Sequence, residues 1–257
     1  MKRIGLFLLL ATLVIGCAGG GTKITDDSRN LSKRQQASEI NAQLGSDYFR
    51  QGNWQEAKLK LDRALEEDSH NVQAHMVAGL LYDRLGELDK AESHLERAVS
   101  LDEKNPETRN ALAVFLCSHG KYQEGEKQAL LAAAVPLYKT PEWALLNAGI
   151  CARNSGDLAA AEKHFRRALQ YQPRFAAALY EMANLELRAG QFLVARAFFE
   201  RHLADGPISP AALLLGVRIE TALNNKSMAA DYARRLRTDY ATSDETKALA
   251  EFERSGK

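Results

Sequence analysis

The chain reads as an all-α protein: a right-handed α-solenoid of about six tandem helix pairs with a C-terminal capping helix. Three observations predict this. Glycines recur at Gly52, Gly86, Gly120, Gly156 and Gly190, about 34 residues apart with one step slightly longer. Small residues keep fixed distances from each of these glycines. Proline is scarce, six in 257 residues, so helices are free to dominate.

The turn glycines end each first helix where a positive φ costs little. Seven residues before them stand Gly45, Gly79, Ala113, Gly149 and Ala183; five after them stand Ala57, Ala91, Gly125, Ala161 and Ala195. A further small residue follows at Ala64, Ala98, Ala132 and Ala168, with His202 in the fifth repeat. Between the last two small places lies a bulky residue in most repeats: Leu61, Leu95, Phe165 and Phe199. Small side chains at these places let paired helices approach closely. An ordinary amphipathic bundle does not require that order at every turn, whereas the 34-residue period is that of tetratricopeptide repeats. Pro173 and Pro207 fall where one repeat passes to the next.

Repeats are expected at about 38–71, 72–105, 106–141, 142–175, 176–208 and 209–242, the last the weakest. Gly216 takes its small position, and Asn224-Asn225 replaces the turn glycine, since asparagine tolerates the left-handed region. Ala229, Ala233 and Leu236 fit its second helix, shifted by a residue. Residues from about 243 to 254 read as a terminal helix covering the last apolar face.

The N-terminus differs. A basic start (Met1, Lys2, Arg3), an apolar run over residues 4–15 and then Gly16-Cys17 form a signal-peptide pattern over residues 1–16. The run is short of the ~20 apolar residues a bilayer span needs. No second such run follows, so the mature chain is not expected to cross a membrane. Val14-Ile15-Gly16-Cys17 resembles a bacterial lipobox, which implies acylation of Cys17. Ala18 after the cysteine resembles the sorting context of Gram-negative lipoproteins held at the periplasmic face of the outer membrane. Each buried acyl methylene adds about 0.8 kcal/mol to such an anchor. Residues 17–37, polar and glycine-containing, read as a flexible lipidated linker, leaving 38–257 as the repeat domain.

Composition excludes several functions. The apolar fraction is 46% and the charged fraction 26%, a soluble globular mix, and the formal net charge of +1 gives no global basic field for nucleic acid. The histidines His70, His75, His94, His119, His164 and His202 form no zinc-protease or zinc-finger pattern, and no nucleophile elbow or phosphate loop is present. His94 and His164, each just before a core residue, read as lying on solvated helix faces. No catalytic residue, metal, cofactor or small-molecule substrate is expected, and the chain reads as no enzyme.

With Cys17 assigned to lipid, Cys117 and Cys151 remain, late in the first helices of consecutive repeats. Those helices pack side by side, so the thiols are within reach of one another. Export favours a disulfide, which closes a loop of about 35 residues and adds roughly 2–4 kcal/mol; the alternative is two buried thiols packing as small hydrophobes. In such solenoids the first helices line the concave face. The residues expected there are Phe49, Met76, Leu80, Val114, Trp143, Leu146, Ile150, Tyr180 and Leu187, an apolar groove for a protein segment. The bland alternative is that several of these pack between neighbouring first helices.

Several segments carry a family resemblance: NALAVFLC ending at Cys117, Gly120-Lys121-Tyr122, PLYKTPE beginning at Pro136, LLNAGIC ending at Cys151, and Leu213-Leu214-Leu215-Gly216-Val217-Arg218. Together with the lipoprotein start, they resemble the PilW/PilF family of type IV pilus lipoproteins over nearly the whole chain. The resemblance implies a pilotin, anchored in the outer membrane by its lipid and binding the type IV pilus secretin to promote its localisation and multimerisation. The competing reading is a repeat adaptor for outer-membrane protein assembly or for cell-wall hydrolases; the PLYKTPE and LLLGVR segments argue against it. A repeat-bearing peptidase would need a catalytic domain for which the chain has no room.

Overall fold

The computed structural model describes residues 26–255, and among these the chain forms thirteen α-helices and no strand. Helices pair in order: α1 (Asp26–Arg50) with α2 (Trp54–Glu67), α3 (Val72–Arg84) with α4 (Leu88–Leu101), α5 (Pro106–Ser118) with α6 (Tyr122–Ala133). Then come α7 (Pro141–Ser155) with α8 (Leu158–Tyr171), α9 (Ala176–Arg188) with α10 (Phe192–Asp205), and α11 (Pro210–Ala222) with α12 (Lys226–Asp239). A last helix, α13 (Asp244–Ser255), packs on α11 and α12 and buries Leu249. This is the tandem helix-pair solenoid the 34-residue period predicts. The expected signal peptide and the expected acylation site, Cys17, lie outside the described residues.

Local chemistry sets the ends of these helices. The five turn glycines adopt φ between 75° and 93°, and Asn224 replaces them in the sixth pair at φ 57°. Asn71, Asn105 and Ser209 cap α3, α5 and α11 by accepting from first-turn N–H groups, and Pro106, Pro141 and Pro210 occupy first positions where no intrahelical donor is needed.

Within a pair, the glycine of the first helix is a hole and the bulky residue of the second is its knob. A Cβ on Gly45 would stand 2.7 Å from Leu61 Cγ, and one on Gly216 would stand 2.9 Å from Tyr232 of its partner helix and equally close to Phe199 of the preceding pair. Any larger side chain there drives the helices apart. Phe165, fully buried, fills the hole at Gly149 in the same way. The third pair departs from the rule: Ala129 sits at the knob position opposite Ala113, and with Ala148 these form a small cluster between two larger cores.

The linker expectation is corrected at its C-terminal end. Residues 26–37 belong to α1 and are not linker. The reason is tertiary: Arg34 donates to the Glu66 carbonyl at 2.8 Å and pairs with Glu67, and buried Ser38 donates to the Ala64 carbonyl at 2.7 Å. These long-range bonds hold a segment whose own sequence shows little apolar periodicity.

Candidate functional site

Neighbouring repeats do not all meet alike. From α1 to α7, consecutive first helices pack along one another, and α6 also lies along α7 as extensively as it does along its own partner α5. Between α7 and α9 the contact is slight. Large side chains on the facing surfaces prop these two helices apart and leave a groove of about 600 Å³. Trp143, Leu146 and Ile150 line it from α7; Phe175, Ala176, Ala177 and Tyr180 line it from the start of α9. Its far wall carries His202 and Asp205 from α10, then Pro207, Ser209 and Ala211.

Trp143 meets Phe175 edge to face, ring centroids 4.8 Å apart, which fixes both rings at the mouth. Burial pushes the Tyr180 phenol above its ordinary pKa, so it stays a neutral hydroxyl. The three charged residues of the lining have partners inside the chain. Arg174 Nε donates to Asp205 Oδ2 at 2.7 Å, and this hydrogen bond holds the Asp205 carboxyl below the usual carboxylate range. Glu181 pairs with Arg153 of α7. His202 donates from Nδ1 to the Ala176 carbonyl at 2.9 Å, leaving its buried Nε2 with no partner among the described residues. The groove is thus an apolar trough with a charge-balanced rim.

Of the nine residues expected in a binding groove, the structure brings together Trp143, Leu146, Ile150 and Tyr180. The other five do not border it. Phe49 and Met76 pack against the N-terminal core, Leu187 packs against the C-terminal core, Leu80 is half-buried on α3, and Val114 is exposed on α5. Register accounts for part of the difference. The place held by Leu146 and Tyr180 is Ala42 in the first repeat and Asn110 in the third, so the apolar strip is interrupted. Phe175, Arg174 and Asp205 were missed because they lie at helix ends, where a face-by-face reading of helices assigns no direction.

The expectation of solvated histidines is also corrected. His164 is buried and hydrogen-bonds Glu126 of α6 at 2.9 Å. His94 faces His75 across the second helix pair, Nδ1 to Nδ1 at 3.0 Å, stacked on Tyr82. The place before the bulky core residue points into a seam between helices and not into water. Burial holds both His75 and His94 below the ordinary histidine pKa. Among the described residues, no group of three or more His, Cys, Asp or Glu side chains is placed to hold a metal ion, and no helix is long and apolar enough to cross a membrane.

Cys117 and Cys151 meet where α5 and α7 run side by side, with Cα atoms 5.4 Å apart and sulfurs at bonding distance. That separation lies within the range a disulfide spans. Gly125 lies against them: a Cβ there would stand 3.2 Å from Cys151 Sγ and 3.1 Å from the Cys117 nitrogen.

Comparison with known proteins places this geometry. The tetratricopeptide-repeat family model matches residues 43–106 and 146–212. The crystal structure of PilW, described as a widely conserved type IV pilus biogenesis factor, superposes with a TM-score of 0.77 at 31% identity, covering 84% of this chain and 99% of that one. The chain belongs to the PilW/PilF family. The type IV pilus assembly protein PilF of Pseudomonas aeruginosa is 26% identical over 93% of this chain and 94% of its own length. A structure of P. aeruginosa PilF superposes with a TM-score of 0.76. In this PilW/PilF member, most of the segments that carry the resemblance cluster in one region: NALAVFLC forms most of α5, PLYKTPE leads into α7, and LLNAGIC lies within α7. The tetratricopeptide repeat is a protein-interaction fold, and in this chain it presents its groove beside those segments.

Proposed function

We propose that this chain is a lipid-anchored outer-membrane scaffold, a pilotin, which binds the type IV pilus secretin and promotes its localisation and multimerisation. The observation that carries the reading is the apolar, charge-balanced groove on a PilW/PilF scaffold, suited to gripping a protein segment. The Val14-Ile15-Gly16-Cys17 lipobox supports the membrane address. The mechanism is tethering: a lipid at Cys17 and a grip in the groove raise the local concentration of secretin subunits at the membrane where they assemble. No bond is made or broken.

The test is deletion of the gene, with surface pili and heat-stable secretin multimers in isolated outer membranes as readouts. Both fall and are restored by the wild-type gene, poorly restored by Cys17→Ala, and poorly restored by Tyr180→Ala. Pili and multimers that persist unchanged in the deletion strain sink the reading.

A further inference from the structure

We infer that the insert between α6 and α7 is the outer lip of the groove, and that Leu137 at its tip packs onto an uncharged, apolar segment of the partner protein. The inference rests on the reading of the groove as a docking site. Leu137 adopts φ 65° with its side chain 99% exposed. The other positive-φ positions among the described residues are Gly52, Gly86, Gly120, Gly156, Gly190 and Asn224, residues to which that conformation comes cheaply. Leucine is the misfit: its backbone is strained, and its side chain gains no burial within the chain.

The tip is nonetheless held from both sides. The Tyr138 N–H donates to the Val135 carbonyl at 3.3 Å, and the Trp143 N–H donates to the Thr140 carbonyl at 3.2 Å. Tyr138 packs against the C-terminal core, and Pro141 is buried. A fixed frame therefore presents an apolar side chain to solvent.

Its place along the fold connects it to the groove. Turns between repeats lie along one edge of a helix-pair solenoid. Two of these turns, carrying Arg174 and Pro207, border the groove, and the insert is the preceding one. It leads directly into the first turn of α7, where Trp143 lines the groove at 48% exposure. Leu137 thus stands six residues ahead of Trp143 on the stretch of chain that enters this edge of the trough.

Charge decides the class of segment. Arg174, Asp205 and Glu181, the charged residues lining the trough, are already paired within the chain, so a charged group seated in it would be desolvated without a free counter-charge; Lys139 and Glu142, flanking the tip, lie outside that lining. An uncharged apolar segment meets no such cost.

The test measures binding of the purified secretin, the partner proposed above, to the full-length protein and to Leu137→Gly and Tyr180→Ala, together with each variant's melting temperature. Leu137→Gly relieves the left-handed strain, so it melts at or above wild type while binding about tenfold or more weaker, as expected for loss of a buried leucine. A photo-crosslinker at position 137 joins the secretin. Wild-type affinity in Leu137→Gly, with binding lost in Tyr180→Ala, overturns the lip but leaves the groove. Wild-type affinity in both variants, or no binding of secretin by the wild type, removes the docking reading and the lip with it. A crosslink from position 137 to a second copy of this chain, in place of the secretin, overturns the assignment of the occupant.

Discussion

The seam between the third and fourth repeats and the seam between the fourth and fifth are built from opposite materials. At the first, α5, α6 and α7 close on one another through Ala113, Ala129 and Ala148, with Gly125 against Cys117 and Cys151. At the second, α7 and α9 face each other across Trp143, Leu146, Ile150 and Tyr180 and stand apart. α7 belongs to both seams, presenting small residues to α6 and large ones to α9. The contrast shows how one repeat fold yields both a closed joint and an open groove: small residues and a disulfide stand at the closed joint, large side chains at the open one. It also gives the groove a firm wall, since α7 is braced from behind.

Four substitutions or conditions test this contrast, in order of expected effect. Phe165→Ala empties the knob that holds α8 against α7, so both seams lose their support. It should cost about 3–5 kcal/mol in urea denaturation, and a loss under 1 kcal/mol means α7 is not held from that side. Replacing both cysteines, Cys117→Ser with Cys151→Ser, should lower stability by about 2–4 kcal/mol. Thiol titration of unfolded, unreduced protein produced in an oxidising compartment should find neither cysteine free. Equal stability with and without reductant indicates that the closed seam needs only its small residues.

Gly125→Ala comes next. Its Cβ would crowd the Ala113 carbonyl at 3.0 Å as well as the cysteines, and the expected loss is about 1–3 kcal/mol. The equivalent place in the fourth repeat holds Ala161 in comfort. An unaffected Gly125→Ala protein would falsify the claim that the closed seam is packed to its limit.

The smallest effect is a pH dependence in the second repeat, away from both seams. Burial keeps His75 and His94 below the ordinary value of 6.5 in the folded chain. On acidification through about pH 6.5 the unfolded chain therefore binds protons first. Stability is full above that pH and declines below it until the folded pair is also protonated. His94→Gln should flatten this dependence in urea midpoints measured between pH 7.5 and 5.5; an unchanged slope assigns it to other groups.

Much of this architecture was legible in the residues. Turn glycines, caps and the small–large–small order are local or strictly periodic signals, and each reports a backbone need that does not depend on distant chain. The pairing of Gly149 with Phe165 follows from repeat register alone. The approach of Cys117 to Cys151 follows less directly: both lie late in adjacent first helices, but Cys117 stands three residues before its turn glycine and Cys151 five before its own. The groove was only half legible. Trp143, Leu146, Ile150 and Tyr180 share the expected face, yet Phe49, Met76 and Leu187 share it too, and only the first four border the gap between α7 and α9.

What periodicity settled was the repeat, its register and its closed core, because those depend on short-range geometry repeated along the chain. What only the folded molecule decided was where two repeats separate, which charges cancel across that gap, and that α1 begins at Asp26. Each of these rests on a meeting of residues far apart in the chain, such as Arg34 with Glu67 or Arg174 with Asp205. Exposure is a property of such meetings: a helix face becomes a groove only when its neighbour is held away from it.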